Sequence, residues 1–262
     1  MPTDLSVDEH IDGMLAAVSR GSESARAAGL DASVPTCPTW DVRELVAHTG
    51  MVHRWAAAQL TGRGDEIGSG ADLKALGRDD ADPTGWWEAG ADELASTLRE
   101  VPDDVRVMVF LNDAPPPRHF WARRQCHEAT IHAVDALTAQ LGRTPRHDET
   151  GIDERIAIDG IDELLGGFLT RGRKLAVDTP RRMSVRPDGD LPSWTVSLSD
   201  GSAVTARHPP GNEHRPSNAE VADDTLTGNA VDLYLALWNR GELVADEATI
   251  AWWRKVARIR WS

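Results

Sequence analysis

Apolar positions in the first half of the chain recur every three or four residues, the period of helices that pack by one face. Ile11, Leu15 and Val18 mark such a stripe within residues 5–28. A stronger one runs through Val42, Leu45, Val46, Val52 and Trp55 in DVRELVAHTGMVHRWAAAQL, where Asp41 and Glu44 stand at capping-box spacing. Residues 61–82, rich in Gly and Asp, lack a period and read as a long connection bordering a pocket. A third helix is predicted across Trp86 to Leu98. The prolines at 115–117 can precede a helix but cannot sit inside one, so a fourth spans about Arg118 to Leu141 and stops at Gly142.

After GRTPRHDETG the pattern changes. A helix at roughly 152–171 leads into the alternating segments RRMSVRP, SWTVSLS and AVTARH, which read as strands separated by DGD and DG turns. GNAVDLYLALWNRG reads as a helix ending at Gly241, and DEATIAWWRKVARI as a terminal helix capped by Asp246. The expected class is therefore α+β, with a four-helix bundle over residues 1–145 and a smaller α+β domain over 146–262.

Composition narrows the function classes. With 262 residues, 40% of them hydrophobic, the chain can bury an ordinary core. No run approaches the ~20 apolar residues of a membrane span, and the first residues, MPTDLSVDEH, carry acids where a secretory signal carries lysines. A cytoplasmic protein without membrane contact is expected. Cys37 and Cys126 are too few for a disulfide framework or a four-cysteine zinc site, so a metal would need histidine and carboxylate ligands. Forty-two acids against 28 bases give a net charge of -14, which repels a phosphate backbone and points away from nucleic acid toward a small-molecule partner.

The chemistry concentrates in RRQCHEATIHAVDAL. Glu128 and His132, four residues apart, project from one face of a helix, where two metal ligands can meet. His127 and His132 are five apart and diverge by roughly 140°, so this is not the HExxH arrangement and His127 is not expected to ligate. His48 shares the apolar stripe of Leu45, Val52 and Trp55 and faces inward, which makes it the candidate third ligand. Asp135, three residues past His132, can accept its second ring N–H from the outer shell. Two plainer readings compete: an inward histidine with a satisfied core partner, and a glutamate–histidine pair on an exposed helix face. His10, His53, His119, His147, His208 and His214 lie in polar segments or on other helix faces and are assigned solvated or structural roles.

VPTCPTWDVRELVAHTG, FWARRQCHEATIHAVDA and, far downstream, GNAVDLYLALWNRG together resemble the mycothiol-dependent maleylpyruvate isomerase family, whose metal-binding bundle is of the DinB-like group. The resemblance spans almost the whole chain in the expected order. It implies metal binding by His48, Glu128 and His132, with zinc as the expected ion, and makes Arg240 of LWNR a candidate active-site arginine, although an arginine just before Gly241 equally suits the carboxy terminus of a helix. It also implies mycothiol as thiol cofactor or co-substrate, activated for cis–trans isomerisation or for S-transfer to a small, carboxylate-bearing electrophile. A non-catalytic metal- or ligand-binding module of the same fold is the alternative. The chain departs from the family at Thr39, usually glycine, at Thr49, usually leucine, and at Ala133 and Val134, usually an Arg-Trp pair. Those departures leave the three ligands intact but alter their surroundings.

Overall fold

A computed structural model of the chain describes residues 3–171, 175, 180–211 and 222–257, so His214 lies outside the described residues. Contacts divide the chain into two compact units, one formed by residues 4–109 and 114–152 and the other by 110–113 and 153–262.

The first unit holds α1 (Val7–Ala28), α2 (Val42–Leu60), α3 (Gly70–Asp79), α4 (Pro83–Glu100), α5 (Pro117–Leu141) and the single turn α6 (His147–Thr150). Each long helix starts where the chain supplies a cap. Ser6 and Glu9 form a reciprocal capping box on α1, a feature whose loss through Ser6→Ala costs about 1 kcal/mol. Asp41 caps α2 by accepting from the Glu44 backbone N–H at 2.7 Å, but only this half of the expected box forms. The Glu44 carboxylate is drawn away to Lys74 at 2.5 Å and to Arg78. Those cations belong to α3, which occupies the stretch expected to be an unstructured connection. Ser69 and Asp72 box its start, and only Leu73 and Gly77 are buried, so it leaves almost no apolar period to read.

Packing within the bundle pairs α1 chiefly with α5 and α2 chiefly with α4, with further contacts between α1 and α4 and between α2 and α5. Gly21 permits the first pairing: a Cβ there would stand 3.1 Å from Ala133 Cα. Pro117 opens α5 at its first turn, and Gly142 ends it in the left-handed region at φ 66°. Between Phe120 and Asp135 every residue of α5 is buried. A helix covered on all sides must place its polar groups in contact with one another or with ligands.

The second unit contains α7 (Glu154–Asp162), which passes into a π-helical turn at Glu163–Phe168 where a continuous α-helix was expected. The strands β1 (Arg181–Pro187), β2 (Ser193–Ser199) and β3 (Ser202–His208) match the predicted segments, and α9 (Glu247–Val256) begins at Asp246, whose side chain accepts from Thr249 N. Asp200 and Gly201 turn β2 into β3 with positive φ at both, as a DG hairpin requires. A fourth strand, β4 (Asp224–Gly228), pairs parallel to β1 and gives the order β3-β2-β1-β4. Helix α8 (Ala230–Leu237) ends before Arg240, not at Gly241. Arg181 binds Asp224 at 2.5 and 2.8 Å and Thr249 at 2.6 Å, tying β1, β4 and α9 together. No described helix is long and apolar enough to cross a membrane.

Candidate metal centre

In the first unit, α2 brings His48 against Glu128 and His132 of α5, and one ligand atom from each lies within 4.8 Å of the others. The three residues are 8%, 4% and 7% exposed, so the exposed-pair reading does not describe them. Glu128 Oε1 is 3.2 Å from His132 Nε2 and 3.4 Å from His48 Nε2. Bonds of ~2.0–2.2 Å in a tetrahedral shell separate neighbouring donor atoms by about 3.3 Å, close to both distances. His48 Nε2 and Glu128 Oε1 are fully buried and lack a hydrogen-bond partner. Two orphaned acceptors converging with a third nitrogen are costly unless a cation lies between them. The donor set of two imidazoles and a carboxylate suits a borderline divalent ion such as zinc.

The surroundings orient each donor. Arg124, itself buried, donates to Glu128 Oε2 at 3.0 Å, which leaves Oε1 alone to face the histidines. His132 Nδ1 meets Asp135 Oδ2 at 2.9 Å, so the ring N–H points to the carboxylate and Nε2 is the free donor of the neutral ring. Asp135 is held in turn by Thr36, whose hydroxyl donates at 2.5 Å, and by the Cys37 thiol at 3.7 Å. Backbone bonds Cys37 N to Val34 O, Trp40 N to Cys37 O and Val34 N to Trp40 O fold VPTCPTW into successive turns that deliver these side chains. The Trp40 ring then lies 4.8 Å from the His48 ring and 5.9 Å from that of His132, with Lys74 of α3 5.0 Å from its centroid.

Electrostatics reflect the burial and the pairing. Burial discourages charge on His132, but the hydrogen bond to Asp135 and the facing carboxylate of Glu128 outweigh it and raise its pKa to about 9. Burial likewise opposes charge on Glu128, yet the two histidines and Arg124 hold its carboxyl well below the usual range. His48 is lowered, by burial first, against the pull of Glu128. Without a metal, the proton therefore resides on His132.

Other predicted positions separate from this cluster. His127 is fully buried on α5 but turns toward His10 of α1, with ring centroids 6.3 Å apart. His10 and His53, assigned to polar segments or other faces, are fully buried. His53 has neither ring nitrogen hydrogen-bonded, and burial pushes its pKa down to about 3. His119 bonds the Leu5 carbonyl at 2.9 Å, and His208 bonds Thr195 at 3.0 Å. Arg240 belongs to the second unit, where its Nη1 donates to the Trp238 carbonyl at 3.1 Å just past the end of α8. Thr36, Trp40, Lys74 and Arg124 were not singled out from the sequence, and Cys37 was given no part in the site. Only Arg124, four residues before Glu128, had a readable signal, its i,i+4 spacing.

Comparison with known proteins agrees along most of the chain. The mycothiol maleylpyruvate isomerase N-terminal domain matches residues 14–137, and the C-terminal domain of the same family matches residues 155–257. Two similar solved structures are crystal structures of mycothiol-dependent maleylpyruvate isomerase. A histidine-to-alanine mutant superposes with a TM-score of 0.57 at 16% identity, covering 92% of this chain and 93% of that one. The second superposes with a TM-score of 0.55 at 18% identity and the same coverage. No curated protein matches the chain.

Proposed function

Since the chain belongs to the mycothiol-dependent maleylpyruvate isomerase family, we propose that it is a mycothiol-using isomerase whose divalent metal, zinc, is held by His48, Glu128 and His132. The observation that carries this reading is the convergence of unpartnered, buried His48 Nε2 and Glu128 Oε1 with His132 Nε2. When bound, the cation stabilises the thiolate of a thiol whose ordinary pKa is about 8.5, so the protein need not supply the nucleophile itself.

The chain's own residues prepare that chemistry. Asp135 fixes the His132 ring and favours Nε2 as donor, while Arg124 keeps Glu128 bound through one oxygen. Three protein ligands leave a coordination position for sulfur. Trp40 shields the histidine rings, which strengthens every charge interaction behind it. Arg240 offers a planar fork for the carboxylate of the second substrate. An electrophilic double bond that accepts sulfur reversibly leaves isomerised from cis to trans, whereas one that retains it leaves as an S-conjugate. The family favours the first outcome, and S-transfer is the alternative reaction of the same site.

Cobalt substitution followed by mycothiol titration tests the reading. A sulfur-to-metal charge-transfer band is expected in the wild type and in Arg240→Ala, with turnover of maleylpyruvate depressed in the variant. A metal-loaded wild type without a band at saturating thiol would overturn thiol activation and favour a non-catalytic binding module. Loss of the band in Arg240→Ala would move that arginine to the thiol.

A further inference from the structure

The bundle contains a cavity of about 230 Å³ between α1, α5 and the turn after α6. Its α5 wall is formed by Thr130, Ala133, Val134 and Leu137, which lie on the side of the helix roughly opposite Glu128, His132 and Asp135. The cavity is therefore separate from the candidate metal centre. It is also below the ~300 Å³ of pockets for drug-sized ligands, so it suits a smaller molecule.

One wall carries Arg20, which has no ion-pair partner although Glu23 lines the same cavity. Arg20 is half-buried, and burial lowers its pKa; only the fields of Cys126 and Glu23 act in the other direction. Among the described residues, no carboxylate lies within ion-pair distance of its guanidinium. Glu149, the other acid on the wall, is already occupied by both terminal nitrogens of Arg143 at 2.7 and 2.8 Å and by Arg146 N at 2.8 Å. The Arg20 stem is seated over Gly151, where a Cβ would come within 3.0 Å of its Cδ, so the turn after α6 keeps the side chain in the cavity wall. Ser24 adds a hydroxyl one turn along α1, and Val134, Leu137 and Ile152 provide an apolar face.

A half-buried guanidinium without an ion-pair partner gains two charge-assisted hydrogen bonds from a carboxylate that meets its fork. We propose that this cavity binds a small monocarboxylate with a short branched aliphatic body, its carboxylate on Arg20 and its hydrocarbon against Val134, Leu137 and Ile152. The metal-loaded full chain, titrated calorimetrically with 4-methylpentanoate, tests this. The uncharged 4-methylpentan-1-ol serves as comparison, and circular dichroism verifies the fold of each variant.

The acid should bind, and the alcohol should bind at least about ten-fold more weakly, as expected for loss of a hydrogen-bonded charge. Arg20→Gln and the cavity-filling Leu137→Trp should each weaken the acid by at least the same factor, while His48→Ala should leave it unchanged. Leu137→Trp keeps the arginine, so it decides the matter even if Arg20→Gln does not fold. Equal affinity for acid and alcohol would overturn the assignment to Arg20. Absence of binding, or binding lost in His48→Ala but kept in Arg20→Gln, would overturn the site.

Discussion

The two faces of α5 solve the problem of buried polarity in opposite ways. On one face, hydrogen bonds and ion contacts link Thr36, Asp135, His132, Glu128 and Arg124, while Glu128 Oε1 and His48 Nε2 accept no hydrogen bond. On the other, Arg20, without an ion-pair partner, meets a cavity with one apolar wall. The first face holds its donors rigidly around the proposed metal position, and the second presents a half-buried guanidinium with no ion-pair partner. Unsatisfied atoms reveal a site only when neighbouring contacts fix where they point, and on the metal side those contacts are the denser.

The largest effect expected from breaking this contrast is loss of the metal. His48→Ala, Glu128→Ala and His132→Ala should each release most of it, seen by elemental analysis after gel filtration, whereas His127→Ala should retain it. Equal retention in all four variants would remove the site. Asp135→Asn should come next, with metal affinity falling about 10- to 100-fold through loss of the ring-orienting carboxylate. Unchanged affinity in that variant would make Asp135 a core residue and nothing more.

A smaller, pH-dependent effect follows from His132. Its proton is retained in the metal-free protein up to a pKa of about 9, and metal binding requires the neutral Nε2. Between pH 7 and 8.5, loading should release close to one proton, and apparent affinity should rise about ten-fold per pH unit. A flat profile would mean that the metal binds without displacing that proton. In the metal-free protein the sign for stability is reversed. A raised histidine pKa contributes stability that is fully present below the ordinary value of ~6.5 and is lost as pH climbs through about 9.

The same contrast explains what the sequence could disclose. Glu128, His132 and Asp135 were legible because spacings of three and four residues place side chains together on any helix, whatever packs against it. His53 was not, because the apolar stripe of α2 suggests one buried face, whereas α2 contacts α3, α4 and α5 and is covered on several sides. Helix α3 escaped because ion pairs from Lys74 and Arg78 to distant Glu44, and not an apolar period, fasten it. The three hairpin-forming strands announced themselves by alternation and DG turns, but β4 pairs with a strand some 40 residues earlier in the chain, at the register Met183 to Asp224. No local signal encodes that partner. Cavities are similarly silent, since the one beside Arg20 depends on which residues three separate elements leave unfilled.

The smallest expected effect tests how far the organised side of α5 extends. Cys37 reaches Asp135 Oδ2 at 3.7 Å through sulfur, a weak donor, whereas Thr36 reaches Oδ1 at 2.5 Å through a hydroxyl. Both stand on the same turn, so exchanging either disturbs the loop alike and isolates the hydrogen bond itself. Thr36→Val should lower metal affinity several-fold by freeing one oxygen of Asp135, since a bond to a charged group contributes about 1.5–3 kcal/mol and only part of it is transmitted to the metal. Cys37→Ser replaces a weak donor with a stronger but shorter one and should change affinity less than about three-fold. Competition with a chromophoric chelator resolves both. If Cys37→Ser abolishes metal binding while circular dichroism remains native, the thiol lies closer to the metal's coordination than the Asp135 contact implies, and the three-ligand assignment must be enlarged to four.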